Sequence, residues 1–175
     1  RKLDNAAQAF PAATGKKDTR VFRFYCQLKE DVRPEILQKA LEQTMKRYPV
    51  FSMVLRKGLF WFYLEQRDLS AKVEEEKRPP CSEIYVPDHK TLLFQVSYYK
   101  RRINFEVFHA LTDGTGAMLF LKELVSHYLI LRHPKETFSK VSEDMLTETD
   151  FEEDSFSQYY TGKKSEKEKS RPAYQ

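Results

Sequence analysis

"FEVFHALTDGTGAMLFLKELVSHYLILR", Phe105–Arg132, fixes most of the architecture by itself. It starts as alternating apolar and aromatic residues, which is strand chemistry. A period of two puts Phe105, Val107 and His109 on one face and Asn104, Glu106 and Phe108 on the other. His109 is then the last side chain before the run breaks. Gly114 and Gly116 suit a sharp turn, with positive φ open to them. Asp113 stands where it can cap a following helix or hydrogen-bond local backbone. "GAMLFLKELVSHYLILR" is apolar nearly all round and predicts a largely buried helix, stopped near His133-Pro134. The local design is strand, histidine, turn, helix.

On the N-terminal side, "VFRFYCQL", Val21–Leu28, predicts a strand. "PEILQKALEQTMKRY" carries Leu37, Leu41, Met45 and Tyr48 at helical spacing, with Pro34 in the first turn and Pro49 as the stop. "VFSMVL" and "LFWFYLEQ" flank Arg56-Lys57-Gly58 and predict a hairpin. Charged "EEEKRPP" and "VPDHK" predict loop. "TLLFQVSYY" and "INFEVFHA", split by Lys100-Arg101-Arg102, predict a second hairpin. The order β-α-β-β-β-β-α implies an α+β two-layer sandwich, with helices on one face of a mainly antiparallel sheet.

From Lys135 the composition turns to mixed charge, with "SEDMLTETDFEEDSF" and "GKKSEKEKSR". This divides the chain into a core domain, 1–134, and a charged linker or tail, 135–175. The 30 lysines and arginines are interleaved with 26 acids for a net +4, so no basic stripe for nucleic acid is expected. No apolar run is long enough to span a bilayer. The first residues, "RKLDNAAQAF", lack an apolar signal core. Cys26 and Cys81 form no disulfide framework and are expected as free thiols in a cytoplasmic protein. The four histidines make no metal-ligand pattern, so no metal is expected.

A histidine at a rigid strand end is good geometry for a general base, since imidazole titrates near neutrality. Its plainer reading is a satisfied core histidine beside an ordinary turn, and spacing alone favours that. The residues, however, match a pattern. "HALTDG" resembles the HxxxDG signature of the acyl-CoA-dependent acyltransferases, the group of chloramphenicol acetyltransferase and the condensation domains of peptide synthetases. "RKLDNAAQAFPA", "KGLFWFYLE", the His/Asp/Gly stretch and the closing "EDSFSQYY…AYQ" are similar, in the same order, to bacterial alcohol acetyltransferase-like proteins.

That resemblance implies a role for each motif residue. His109 would be the base that deprotonates the acceptor. Asp113 would be structural, pointing away from substrate and usually towards an arginine; Arg20 and Arg23 are the weak candidates here. Gly114 would be the turn residue. The first histidine of the longer HHxxxDG form is Phe108 in this chain. The donor would be acyl-CoA, most simply acetyl-CoA, and the acceptor an alcohol or similar nucleophile. Family members have two similar halves with the tunnel between them. The chain therefore reads as the N-terminal half of a chloramphenicol-acetyltransferase-like fold, with the C-terminal half as its partner and little activity alone. An apolar face bearing His109 and part of the Phe60–Tyr63 aromatics would lie open and favour self-association.

Other features carry plainer readings. The aromatics of "GLFWFYLEQ" suit core or interface more than a substrate channel. Cys26, in an apolar strand, has no basic neighbour in sequence to activate it. Lys100-Arg101-Arg102 reads as a solvated hairpin tip, and His127 and His133 as surface or capping residues. The alternative to an enzyme is a non-catalytic binding or interaction module that keeps the fold. An RNA-binding sandwich lacks the required aromatic motif and basic face.

Overall fold

The computed structural model describes residues 11, 13–15, 18–59, 61–86 and 89–136. They belong to one compact unit, Arg1–Ser139. The charged segment expected from Lys135 falls, beyond residue 136, outside the described residues.

Four strands form the main sheet in the order β1-β6-β5-β4. β1 (Val21–Gln27) and β5 (Phe94–Tyr99) pair antiparallel on either side of β6 (Arg102–Phe108). β4 (Val73–Glu75) runs parallel to β5 and forms one edge. β2 (Met53–Lys57) and β3 (Phe62–Gln66) make a separate antiparallel hairpin. Helices α1 (Pro34–Arg47) and α2 (Gly114–Arg132) supply the second layer. The fold is α+β, with helices on a mainly antiparallel sheet.

The core explains this arrangement. Phe105 of β6, Phe94 of β5, Phe51 and Phe120 of α2 are all buried. Phe120 lies 4.1 Å from the Phe51 ring and stacks at 4.8 Å on Phe105. Phe51 sits in a 3₁₀ turn, Pro49–Ser52, that joins α1 to β2. The expected strand "VFSMVL" thus begins only at Met53, because Pro49 starts a helical turn and Phe51 must face the core. α1 buries Leu37, Ala40, Leu41 and Thr44. The Thr44 hydroxyl lies 2.8 Å from Ala40 O and 2.9 Å from His127 Nδ1, which ties α1 to α2.

Three expectations need correction. Glu74 and Glu75, read as loop, belong to β4; their backbone completes a parallel ladder with Ser97 and Tyr98 while both side chains stay exposed. Arg102, read as hairpin tip, is the first residue of β6 and pairs with Tyr99. The tip proper, Lys100-Arg101, has Lys100 at φ 50°. Both tip residues are exposed, as expected of a solvated tip, while their backbone carbonyls are docked. Leu28 N–H donates to Arg101 O at 2.7 Å, and Val32 N–H to Lys100 O at 2.9 Å. α2, finally, is buried along one side only. Gly116, Ala117, Phe120, Leu121, Leu124 and Tyr128 face inward, whereas Met118 and Ile130 are exposed.

Candidate active site

His109 is the first residue beyond the end of β6, an interior strand of the sheet. Its backbone N–H donates to Arg20 O at 2.9 Å, so the main chain leaving β6 is held against the chain entering β1. Its imidazole is exposed and lies 4.9 Å, centroid to centroid, from the Phe22 ring. Phe22 pairs with Val107, which puts it on the face that His109 continues. A buried strand thus delivers a ring that reaches solvent from a fixed backbone.

The turn that follows is short. Leu111 N–H donates to Phe108 O at 2.9 Å, and Ala110 and Leu111 are buried. Asp113 is the N-cap of α2, and its Oδ1 accepts from Gly116 N–H at 2.8 Å. Its own carbonyl accepts from Ala117 N–H at 3.1 Å. That is helix capping, which satisfies donors left open at every helix start. Neither arginine named as a partner for Asp113 is aimed at it. Arg20 pairs with Asp18 at 3.1 Å, and Arg23 with Glu106 at 3.0 Å and Glu76 at 2.6 Å.

The glycines divide their labour differently from the expectation. Gly114 is the first residue of α2 rather than part of the turn, and neither it nor Gly116 takes a positive φ. A Cβ on Gly114 would meet nothing nearer than Phe24 Cζ at 3.9 Å. A Cβ on Gly116 would fall 2.1 Å from Thr112 Oγ1. Close packing of Thr112 on the first helical turn therefore demands Gly116.

The other face of the sheet holds a polar network that alternation conceals. Glu106, only 6% exposed, receives Arg23 Nε at 3.0 Å and the backbone N–H of Cys81 at 2.6 Å. Arg23 and Arg102 each donate to Glu76 at 2.6 Å. Burial works against the charge on Glu76, but the hydrogen bonds from Arg23 and Arg102 outweigh it and hold the carboxyl below the usual glutamate range. Burial likewise opposes the Arg23 guanidinium, and hydrogen bonds to Glu76 and Glu106 turn the balance and raise it. The network straps the chain around Cys81 across the sheet.

Both cysteines are free. Burial pushes the Cys26 thiol up, and burial together with the Glu106 charge does the same to Cys81. Each is driven away from the nucleophilic thiolate. His127 and His133 serve the scaffold. His127 bonds Thr44 and faces Glu123 at 3.4 Å, and His133 caps α2 with Nε2 2.7 Å from Glu30. Trp61 and Tyr63 lie on the β2–β3 hairpin, and Phe60 lies outside the described residues.

No protein-family model matches the chain. No curated protein matches it either. Solved structures do. One is the starter condensation domain of rhizomide synthetase RzmA, at TM-score 0.61 and 12% identity over 79% of this chain and 40% of that one. Another is VibH, a condensation enzyme of nonribosomal peptide synthesis, at TM-score 0.56 and 16% identity over 78% and 37%. A third is polyketide synthase associated protein 5 from Mycobacterium tuberculosis, at TM-score 0.56 and 19% identity over 74% and 32%. These likenesses establish a condensation-domain fold. The chain spans between 32% and 40% of the length of these three structures.

Proposed function

We propose that the chain is the N-terminal half of an acyltransferase that moves an acyl group from coenzyme A to an alcohol or similar nucleophile. Acetyl is the group the sequence favours, and the cytoplasm the place. The observation that carries this reading is the exposed His109 imidazole, set just beyond an interior strand on a backbone fixed by Arg20 O. An acceptor hydroxyl within reach gives its proton to the ring. Its oxygen attacks the thioester carbonyl, the carbon–sulfur bond breaks, and the departing thiolate takes the proton back. Asp113 acts through the helix cap that holds the turn, and Gly114 opens the helix behind it. The donor site and oxyanion contacts belong to the C-terminal half, so the chain alone supplies little of the rate.

The test uses the complete protein. His109→Ala should abolish coenzyme A release from acetyl-CoA in the presence of an alcohol, with an unchanged circular dichroism spectrum. Turnover at the parent rate in that variant would end the reading. One observation favours a non-catalytic module instead. Asp113 and Gly116 are fully accounted for as cap and packing residues, and a binding protein would keep them for that reason alone.

A further inference from the structure

His109 is held at its backbone and at its ring, and both holds come from the start of β1. Its N–H donates to the carbonyl of Arg20, which itself sits at φ 54°. That left-handed conformation costs any residue with a Cβ, and such strain gathers at functional sites. The ring is met by Phe22. Pairing with Val107 sets Phe22 diagonal to His109 on one face, a spacing that aromatic side chains bridge. The centroids are 4.9 Å apart with the planes at 56°, within the range of favourable ring pairs. Phe22 is braced in turn. Phe24 meets it edge-on at 5.7 Å and 84°, and both rings are half-buried against the core.

We propose that Phe22 is the positioning residue for His109: its ring sets the plane of the imidazole, so that a ring nitrogen meets the acceptor hydroxyl in line for proton transfer. The inference rests on the general-base reading above. An exposed side chain changes rotamer within picoseconds to nanoseconds, whereas a base must stand about 2.6–3.2 Å from the atom whose proton it takes. Misplacement by about 1 Å costs about a hundredfold in rate. A phenyl side chain carries no charge and no hydrogen-bonding group, so Phe22 acts on geometry alone. If Phe22 served only to fill volume beside the core, leucine would replace it without effect on the reaction.

The first readout is NMR of the imidazole protons in the 175-residue chain, with His109→Ala assigning the His109 signals. The parent chain should show an Overhauser contact between the His109 and Phe22 rings. Phe22→Leu should move the His109 resonances, through loss of the phenyl ring current, and leave those of His89, His127 and His133 in place. The second readout is turnover of the complete protein. There Phe22→Leu should lower kcat by about tenfold to a hundredfold with KM nearly unchanged, and Phe22→Tyr should recover most of the loss. Phe22→Met replaces Phe22→Leu, with the same expectations, if leucine unfolds the protein. A parent chain without the ring contact, or unmoved His109 resonances, would overturn the proposal. So would parent kcat in Phe22→Leu, a loss confined to KM, or a Phe22→Tyr as slow as Phe22→Leu. Each of these leaves His109 as the base. Turnover that survives His109→Ala would instead end the general-base reading and the positioning role with it.

Discussion

On one face of β6, Ile103, Phe105 and Val107 are wholly buried among phenyl rings. On the other, Asn104 and Glu106 are almost as buried, and what surrounds them is Ser97, Arg23 and the Cys81 backbone. Phe108, on that same face, is covered by the stacked Tyr85 ring 5.2 Å away. The first face asks of its neighbours only size and shape. The second asks for named partners at fixed distances, because a buried charge is tolerated only when paired. Equal burial therefore hides two different vulnerabilities, one to lost volume and one to a lost partner.

The largest effect is expected on the phenyl face. Phe105 packs against Phe51, Phe94 and Phe120, so Phe105→Ala opens a cavity at the centre of the core. The expected loss is about 3–5 kcal/mol, measured by urea denaturation. A loss below about 1 kcal/mol would mean that the ring cluster is not the keystone its packing suggests.

On the polar face, Glu106→Ala should cost about 3 kcal/mol, chiefly because Arg23 is left partly buried beside one carboxylate instead of two. The double variant Arg23→Met/Glu106→Leu tests whether the partner or the volume matters there. It should recover part of that loss, since a paired charge replaced by apolar volume is close to neutral, while Glu76 keeps only Arg102 and the Cys81 N–H loses its acceptor. Glu76 adds a pH dependence. Its carboxyl is held below the ordinary 4.5. Its stabilising contribution is therefore whole above pH 4.5 and is lost as pH falls through the lowered value. Glu76→Gln should flatten that acid limb of the stability curve; an unchanged limb would assign it to other carboxylates.

The same contrast explains which parts of the fold are legible in the sequence. β1, α1, β6 and α2 announce themselves because each carries a periodic apolar stripe or a run with stops at Pro34, Pro49 or Pro134. The polar face could not be read that way. Glu106 sits in an apolar run, and its partner Arg23 lies 83 residues away in sequence. Nothing local links the two, because the pairing exists only through the register of β1 on β6. β4 was invisible for a related reason: a three-residue edge strand needs one apolar side chain, Val73, and its glutamates resemble loop. At the candidate site, the position of His109 followed from alternation. The demand for Gly116 came from Thr112 packing, which no periodicity encodes.

Smaller effects separate the two ends of the turn. Asp113→Ala removes the acceptor for Gly116 N–H and should cost about 1 kcal/mol, a normal N-cap loss. Asp113→Asn should restore most of it, because an asparagine oxygen caps as well. If Asp113→Asn were as damaging as Asp113→Ala, the charge rather than the cap would be the function of that residue.

The smallest effect on stability is expected at His109, and it is the one on which the functional reading turns. Its backbone N–H, which any residue would supply, makes the bond to Arg20 O. His109 is exposed, and His109→Ala takes away the contacts of its ring, the packing on Phe22 among them. Substitutions at such positions usually stay within about 0.5 kcal/mol. A strand-end histidine kept for structure would behave otherwise, with a loss approaching that of a core aromatic. Urea denaturation of His109→Ala beside Phe105→Ala therefore separates the two accounts without any substrate. A loss above about 2 kcal/mol would make His109 a structural residue and remove the base from the proposed transfer. A loss near zero leaves an imidazole held at the end of an interior strand at no benefit to the fold, which is the condition a general base satisfies.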